Sequence, residues 1–389
     1  MGGSYWTTSW ACVQHPVNSS AASGPTPLLR RSVLQRLALV VGGEQLRIVI
    51  SNEFGERPLE VRATHVRPAY DGRSHGWNSV QAAPAWSLAQ NPLGEPPAIP
   101  ITFDGQAAVL VPPGQTRLSD AARLNPGPVV PLATHQLELT MELGDTLPER
   151  LTGHLPVPSD GVVLEQVGPP HDPVYTLRAT GKSAGPPRVL SAPSLFINRV
   201  EVTPNSRHSV AALIGEPFPA SGAVWPQGQP AGDWRGWLLH RMLATGASSP
   251  VLIDQSLEGN RLLRPDRAPS VSARFHRDAV ALSGVTDVVV HAGLSDLLAA
   301  DDSRADGYPW PNVSTLIGTF RRLASLARAH GKRIHVTTLT PPAFPQLTQG
   351  AEETRRTLNA WFKHSPVFDR CIDLQAGAPR IASRLDERL

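Results

Sequence analysis

The hydrophobic period of this chain changes once, at Thr203-Pro204-Asn205, and the change restricts it to two halves built on different plans. Before it, apolar residues fall in short runs broken by turn residues. Leu46, Ile48 and Ile50 alternate with polar neighbours, the pattern of a strand with one buried face. Residues 33–41 form a preceding apolar run, and Gly42-Gly43 between the two would supply the positive-φ positions of a tight hairpin. Further strands are predicted over 59–66, 107–111, 135–142, 162–166 and 195–202. Pro-Pro-Gly at 112–114 and Pro186-Pro187 act as connectors, and no long helical stripe precedes residue 205. The 32 Gly and 39 Pro of the 389 residues suit many short strands joined by turns. The first half reads as an all-β sandwich of jelly-roll type, residues 1–205.

After the break, unbroken apolar runs alternate with stripes of period 3.6. Strands are predicted over 209–214, 251–253, 285–291, 333–339 and 370–374. Helices are predicted over 233–244, where Trp234, Trp237, Leu238 and Met242 share a face, and over 313–330 and 352–363. Gly331 stands where a left-handed cap ends a helix. Continuous apolar strands between helices imply a five-stranded parallel sheet covered on both faces, a flavodoxin-like domain over 206–389. Such sheets bind ligands beyond the carboxyl ends of their strands, so the decisive turns begin at Gly215, Asp254, His291 and Thr340.

Charge and cysteine content exclude several classes. The 36 basic and 33 acidic residues nearly balance, only Lys182, Lys332 and Lys363 are lysines, and no Arg cluster forms a stripe. No nucleic-acid partner is therefore expected. No apolar run is long enough for a bilayer and no signal peptide is visible, so a soluble cytoplasmic protein is expected. Cys12 and Cys371 have no metal-ligand spacing and read as buried structural thiols. Asp301-Asp302-Ser303-Arg304-Ala305-Asp306-Gly307 lacks the bidentate Glu of a calcium loop, with Val313 in its place. No metal and no cofactor is expected.

The turns of the second half resemble the blocks of SGNH/GDSL hydrolases. Gly215-Glu216-Pro217 follows its strand as Gly-Asp-Ser does in that family. Ser256-Leu257-Glu258-Gly259-Asn260-Arg261-Leu262-Leu263 resembles the second block, Gly-Ile-Ser-Gly-Asn-Arg-Leu-Leu. Gly293-Leu294-Ser295-Asp296 resembles the third, Gly-x-Asn-Asp, and Ala273-Arg274-Phe275-His276-Arg277-Asp278 is similar to a stretch between them. Ser51-Asn52-Glu53-Phe54-Gly55-Glu56-Arg57-Pro58-Leu59 is similar to a motif found where a β-sandwich precedes the hydrolase domain. The resemblance implies that two-domain fold for nearly the whole chain.

It also implies a catalytic set that this sequence departs from. In the family the first-block Ser attacks, a Gly and an Asn add oxyanion donors, and a late Asp-x-x-His supplies base and orienting carboxylate. Here the nucleophile position is Pro217, with neither hydroxyl nor N–H. The Gly position is Ser256, which retains an N–H, and the Asn position is Ser295. The Asp-x-x-His block is absent from 206–389. These departures point to a catalytically degenerate member.

Each candidate residue has a bland reading beside the sharp one. Ser221 is a turn or capping serine rather than a displaced nucleophile. Glu216 is an acid or base, or a carboxylate bonding turn amides. His291 is a base or a satisfied buried imidazole. Asp296 matches the family's own Asp and reads first as structural. Trp225, Trp234 and Trp237 read as core and pocket wall. Pro217, Ser256, Gly259, Asn260 and Ser295 are expected to line the cleft. The expected function is that of a pseudo-hydrolase binding a small molecule, such as a bulky metabolite, acyl compound or sugar, or a protein partner. The alternative is a non-hydrolytic acid/base enzyme of secondary metabolism (isomerase, cyclase or lyase) using His291, Glu216 and Asp296. A weaker alternative is a truncated esterase.

Overall fold

The computed structural model describes residues 5–18, 32–68, 98–124, 136–154, 162–166, 174–179, 194–217, 251–266, 268–299, 311–341 and 347–374. The described chain forms two compact units, divided between Arg207 and His208.

The first unit holds three sheets and, among the described residues, no helix. In one, Thr7–Ala11, Ile197–Val202, Gln45–Ser51 and Thr116–Leu118 are neighbours in that order, and Ala122–Arg123 also pairs with Gln45–Ser51; all pairs are antiparallel. A second runs Val162–Gln166, Val174–Ala179, Ser32–Ala38, Gln136–Leu143, Leu59–Pro68, Ile99–Ile101, with Val109–Val111 also on Leu59–Pro68. Its one parallel pair joins Val174–Ala179 to Ser32–Ala38. The third is Ser194–Leu195, Arg150–His154 and His15–Asn18.

The alternation of Leu46, Ile48 and Ile50 is realised, and all three are fully buried. The expected hairpin is not. Ser32–Ala38 and Gln45–Ser51 lie in different sheets, and neither Gly42 nor Gly43 has a positive φ. Between them the chain is held by other strands: the Ser9 hydroxyl donates to the Val41 carbonyl at 2.5 Å, and the Glu44 N–H donates to Thr203 at 3.1 Å. Gly43 is required for that approach, because a Cβ there would sit 2.5 Å from the Thr203 carbonyl oxygen. The predicted strand 195–202 breaks at Phe196, which is buried at φ 62°. Its N–H donates to Thr152 in one sheet and its carbonyl accepts from Ser51 in another, which holds an aromatic residue in a sparsely populated conformation. Asn52 explains the motif around it. Its carboxamide donates to the Arg57 and Val111 carbonyls, and its own carbonyl accepts from Gly55 and Gly114.

The second unit contains the parallel sheet: β1 (Val210–Gly215), β2 (Val251–Ser256), β3 (Val285–His291), β4 (Arg333–Thr337) and β5 (Arg370–Ile372). Their spatial order is β2-β1-β3-β4-β5, all parallel. This is the flavodoxin-like doubly wound order, with its switch point between β1 and β3. Every residue of central β1 is buried, as its unbroken apolar run demands.

Four helices are described. Helix α1 (Val271–Phe275) starts at Ser270, whose hydroxyl accepts from Ala273, and continues as a wider π-type turn over His276–Val280. Helix α2 (Leu294–Leu298) follows Gly293 at φ 111°. Helix α3 (Val313–Ala329) is capped by Asn312 and buries Leu316, Phe320, Leu323, Ala324 and Ala327 on one face. Gly331 takes φ 68° beyond it, as expected. Helix α4 (Gln349–His364) is capped by Thr348. Phe320 meets Phe362 edge-on at 4.9 Å between ring centres, with Trp361 and Phe368 completing the cluster.

Neither cysteine is in a disulfide. Cys12 is buried, whereas Cys371 is only half-buried, and burial beside Asp373 pushes its thiol up to about 11. No helix among the described residues is long and apolar enough to cross a membrane. The predicted helix 233–244, Ser221, Trp225, Trp234, Trp237 and the 301–307 loop lie outside the described residues.

Candidate functional site at the carboxyl ends of β1 to β3

Sheet register brings the three turns together. Gly215, last in β1, is opposite Ser256 of β2 on one side and His291 of β3 on the other. Its φ of 121° turns the chain out of the sheet, and a Cβ there would collide with the His291 carbonyl oxygen. The Glu216 N–H donates to that same carbonyl at 2.7 Å.

The Glu216 side chain reaches the third turn. The Ser295 N–H donates to its Oε1 at 3.0 Å and the Ser295 hydroxyl donates to its Oε2 at 2.6 Å. The carboxylate therefore bonds turn amides, but those of the neighbouring turn, at the first turn of α2. Burial outweighs these donors, and with Asp296 nearby it raises the Glu216 carboxyl to about 7. Asp296 is also buried, and burial pushes its carboxyl upward. Its oxygens accept the N–H groups of Leu262 at 2.6 Å and Leu263 at 3.0 Å, which ties α2 to the second turn.

His291 is 2% exposed, and its Nδ1 lies 2.6 Å from the Thr337 hydroxyl at the end of β4. Burial lowers its pKa to about 4, so the imidazole is neutral at physiological pH. In the second turn, the Ser256 N–H donates to Asp254 Oδ1 at 2.9 Å, whereas the Ser256 hydroxyl is buried without a hydrogen-bond partner among the described residues. Gly259 takes φ 76° in the turn closed by the Asn260 N–H on Leu257, and the space beside its Cα is open. Pro217 ends the described part of the first turn and is half-buried.

Asn260 has a different duty. Its carboxamide donates to the Pro269 carbonyl at 3.0 Å and accepts from Arg274 Nε and Nη2 at 3.1 and 2.8 Å. Arg274 is 1% exposed; it also donates to the Gln255 carbonyl and pairs with Asp278 at 3.3 Å. Arg274 and Thr337 were not singled out as site residues from the sequence. Beyond the i,i+4 pair of Arg274 with Asp278, their partners lie far along the chain.

Structure thus joins Glu216, Ser295 and Asp296 in one buried group, with His291 and Ser256 flanking Gly215. Asn260 and Gly259 belong to the second turn, where Asn260 braces Arg274. Among the described residues no group of His, Cys, Asp and Glu side chains could hold a metal ion.

No protein-family profile matches the chain, and no curated protein does. Several solved structures are similar to it. One is a lipolytic protein of the G-D-S-L family from Desulfitobacterium hafniense, 13% identical over 43% of this chain and 77% of that one, with a TM-score of 0.30. Another is a lipase/acylhydrolase from Enterococcus faecalis, 16% identical over 43% and 76%, TM-score 0.31. A third is the acetylxylan esterase Axe2 from Geobacillus stearothermophilus, 14% identical over 46% and 81%, TM-score 0.33. At these TM-scores the fold stands on the strand order and register described above.

Proposed function

We propose that this chain is a ligand- or partner-binding protein on an SGNH-hydrolase-like fold, without serine hydrolysis through its first turn. The observation that carries the binding reading is the Ser256 hydroxyl, buried at the carboxyl end of β2 with no partner among the described residues. An unsatisfied buried polar group costs about 1–3 kcal/mol, a cost that a bound ligand offering a hydrogen bond removes. Committed donors support the loss of hydrolysis. The Ser256 N–H is spent on Asp254, Ser295 at the Asn position spends both its donors on Glu216, and Pro217 offers neither hydroxyl nor N–H. A small neutral molecule bearing hydroxyl or carbonyl oxygens fits this chemistry better than an anion, since Glu216 and Asp296 are both carboxyls.

The test is equilibrium binding of the full chain to a panel of neutral sugars and short-chain esters, repeated with Ser256→Ala. A compound that binds should do so about 5- to 30-fold more weakly in the variant, the equivalent of about 1–2 kcal/mol. Unchanged affinity for every binder, or no binder at all, contradicts the reading.

A second reading rests on Glu216. A carboxyl held at about 7 has the proton affinity a general acid or base needs at neutral pH. It favours a non-hydrolytic acid/base enzyme. In this reading Glu216 transfers the proton, the neutral His291 is fixed by Thr337, and Asp296 keeps its bracing role.

A further inference from the structure

The Ser295 hydroxyl is the only one among the described turns of the site that donates to a buried carboxylate, at 2.6 Å on Glu216 Oε2. Its orientation is fixed twice, because the same residue's N–H holds the other oxygen, Oε1. Gly293 at φ 111° starts α2 in the direction that presents Ser295 to the end of β1. No ion pair reaches Glu216 among the described residues, so no cation competes for its proton affinity. Ser295 is 9% exposed, at the margin of this buried group.

From this geometry we infer that Ser295 is a relocated nucleophile, activated by the Glu216 carboxylate, which accepts one acyl or phosphonyl group from an activated ester or fluoride. Separation of 2.6 Å is within the reach a general base requires. In the step, Ser295 Oγ forms a bond to the carbonyl carbon or phosphorus, and its proton passes to Glu216 Oε2. The bond to the leaving group breaks, and p-nitrophenolate or fluoride departs with the electron pair. Burial keeps the carboxyl at about 7, strong enough as a base to take that proton and weak enough to be ionised for part of the population at neutral pH. The reaction stops at the covalent adduct. Hydrolysing it requires a second charged intermediate, and the Ser256 and Ser295 N–H groups are already bonded to Asp254 and Glu216. Each missing oxyanion donor costs about 10²–10³ in rate. The inference goes beyond the binding reading, which denies turnover but does not assign a covalent event.

The experiment is intact-mass and peptide mapping of the full chain after incubation with an alkyl fluorophosphonate, and separately with p-nitrophenyl acetate, between pH 5 and 9. The expected result is one adduct per chain on the peptide containing Ser295. Its rate should rise with pH and level off above about 7. Ser295→Ala keeps the backbone N–H bond to Glu216 and should abolish the adduct. Glu216→Gln should slow labelling by about 10²-fold or more with circular dichroism unchanged. If that variant does not fold, Glu216→Asp, which keeps a carboxylate but shortens its reach, should be slowed as well. No adduct, an adduct elsewhere, or a rate unaffected by pH and by the Glu216 substitution would overturn the inference while leaving the binding reading standing. Repeated turnover that disappears in Ser295→Ala would uphold the nucleophile and overturn the binding reading. Turnover that survives Ser295→Ala would overturn both.

Discussion

Glu216 holds Ser295 through both of that residue's hydrogen-bond donors, the N–H on Oε1 and the hydroxyl on Oε2. The pair joins the end of the central strand to the first turn of α2. It also shows how two departures from the SGNH/GDSL pattern fit each other. The side chain at 216 is a methylene longer than the family's Asp, and the one at 295 is shorter than its Asn. A carboxylate that reaches one atom further meets a hydroxyl that reaches less.

The pair makes stability depend on pH in a defined direction. The Glu216 carboxyl is raised from 4.5 to about 7 in the folded chain. The folded state therefore binds more protons than the unfolded state between those values, and stability falls as pH rises through that window. Glu216→Gln should remove this limb, gaining on the order of 3 kcal/mol relative to the parent between pH 4.5 and 7.5. Denaturant titrations at a series of pH values measure it. A parent whose stability rises over that interval relative to Glu216→Gln would contradict the assignment.

His291 should produce the opposite limb. Its pKa is lowered from 6.5 to about 4, so below pH 6.5 the unfolded state takes up the proton and the folded state does not. Its contribution is nil above pH 6.5, and stability is lost as pH falls towards 4. Between 4.5 and 6.5 the two residues act in opposite directions, so only single variants separate them. Relative to the parent, His291→Gln should gain stability as pH is lowered from 6.5 to 4 and show no pH-dependent difference above 7.

Restoring a hydroxyl at the family's nucleophile position should not restore esterase activity. Pro217→Ser supplies an oxygen, but the Ser256 N–H remains on Asp254, the Ser295 donors remain on Glu216, and His291, bonded to Thr337 with its pKa lowered to about 4, is a weak base. Turnover of p-nitrophenyl acetate by Pro217→Ser should match that of the parent within error. An increase of 10²-fold would show that a working base and oxyanion donors survive.

The second turn should depend on Arg274 for its stability. Arg274→Met removes the donor to Asn260 and Gln255 and leaves Asp278 with Arg277 alone. Breaking a buried pair of this kind costs about 3–5 kcal/mol. Gly215→Ala, which drives a Cβ into the His291 carbonyl at a φ of 121°, should cost about 3 kcal/mol or more. Both are read from the midpoint of chemical denaturation, and a shift below about 1 kcal/mol in either would contradict the packing described.

The five parallel strands were legible because β1 is an unbroken apolar run, β3 centres on Val288-Val289-Val290 and α3 has a clear buried stripe, features that survive any context. Some short strands of the first unit were legible, such as Val162–Gln166, and others were not. Thr116–Leu118 is exposed at all three positions and carries no alternation. Gly42-Gly43 was misread because the sequence does not distinguish a glycine that turns from one that admits a neighbouring backbone, here Thr203. In the site, Glu216 and Asp296 stood out as carboxyls next to strands. The bond between Glu216 and Ser295 spans 79 residues of chain, and Arg274 gathers acceptors from residues 255, 260 and 278. Only the Arg274–Asp278 pair, at i,i+4, leaves a local signal.

The most direct test of the central claim is steady-state hydrolysis of p-nitrophenyl acetate and butyrate by the full chain, against the same protein after heat denaturation. With Pro217 at the first turn and the Ser256 and Ser295 N–H groups bonded to Asp254 and Glu216, the proposal predicts no turnover beyond the denatured control. Sustained turnover above that control, with many product molecules released per chain, would contradict it.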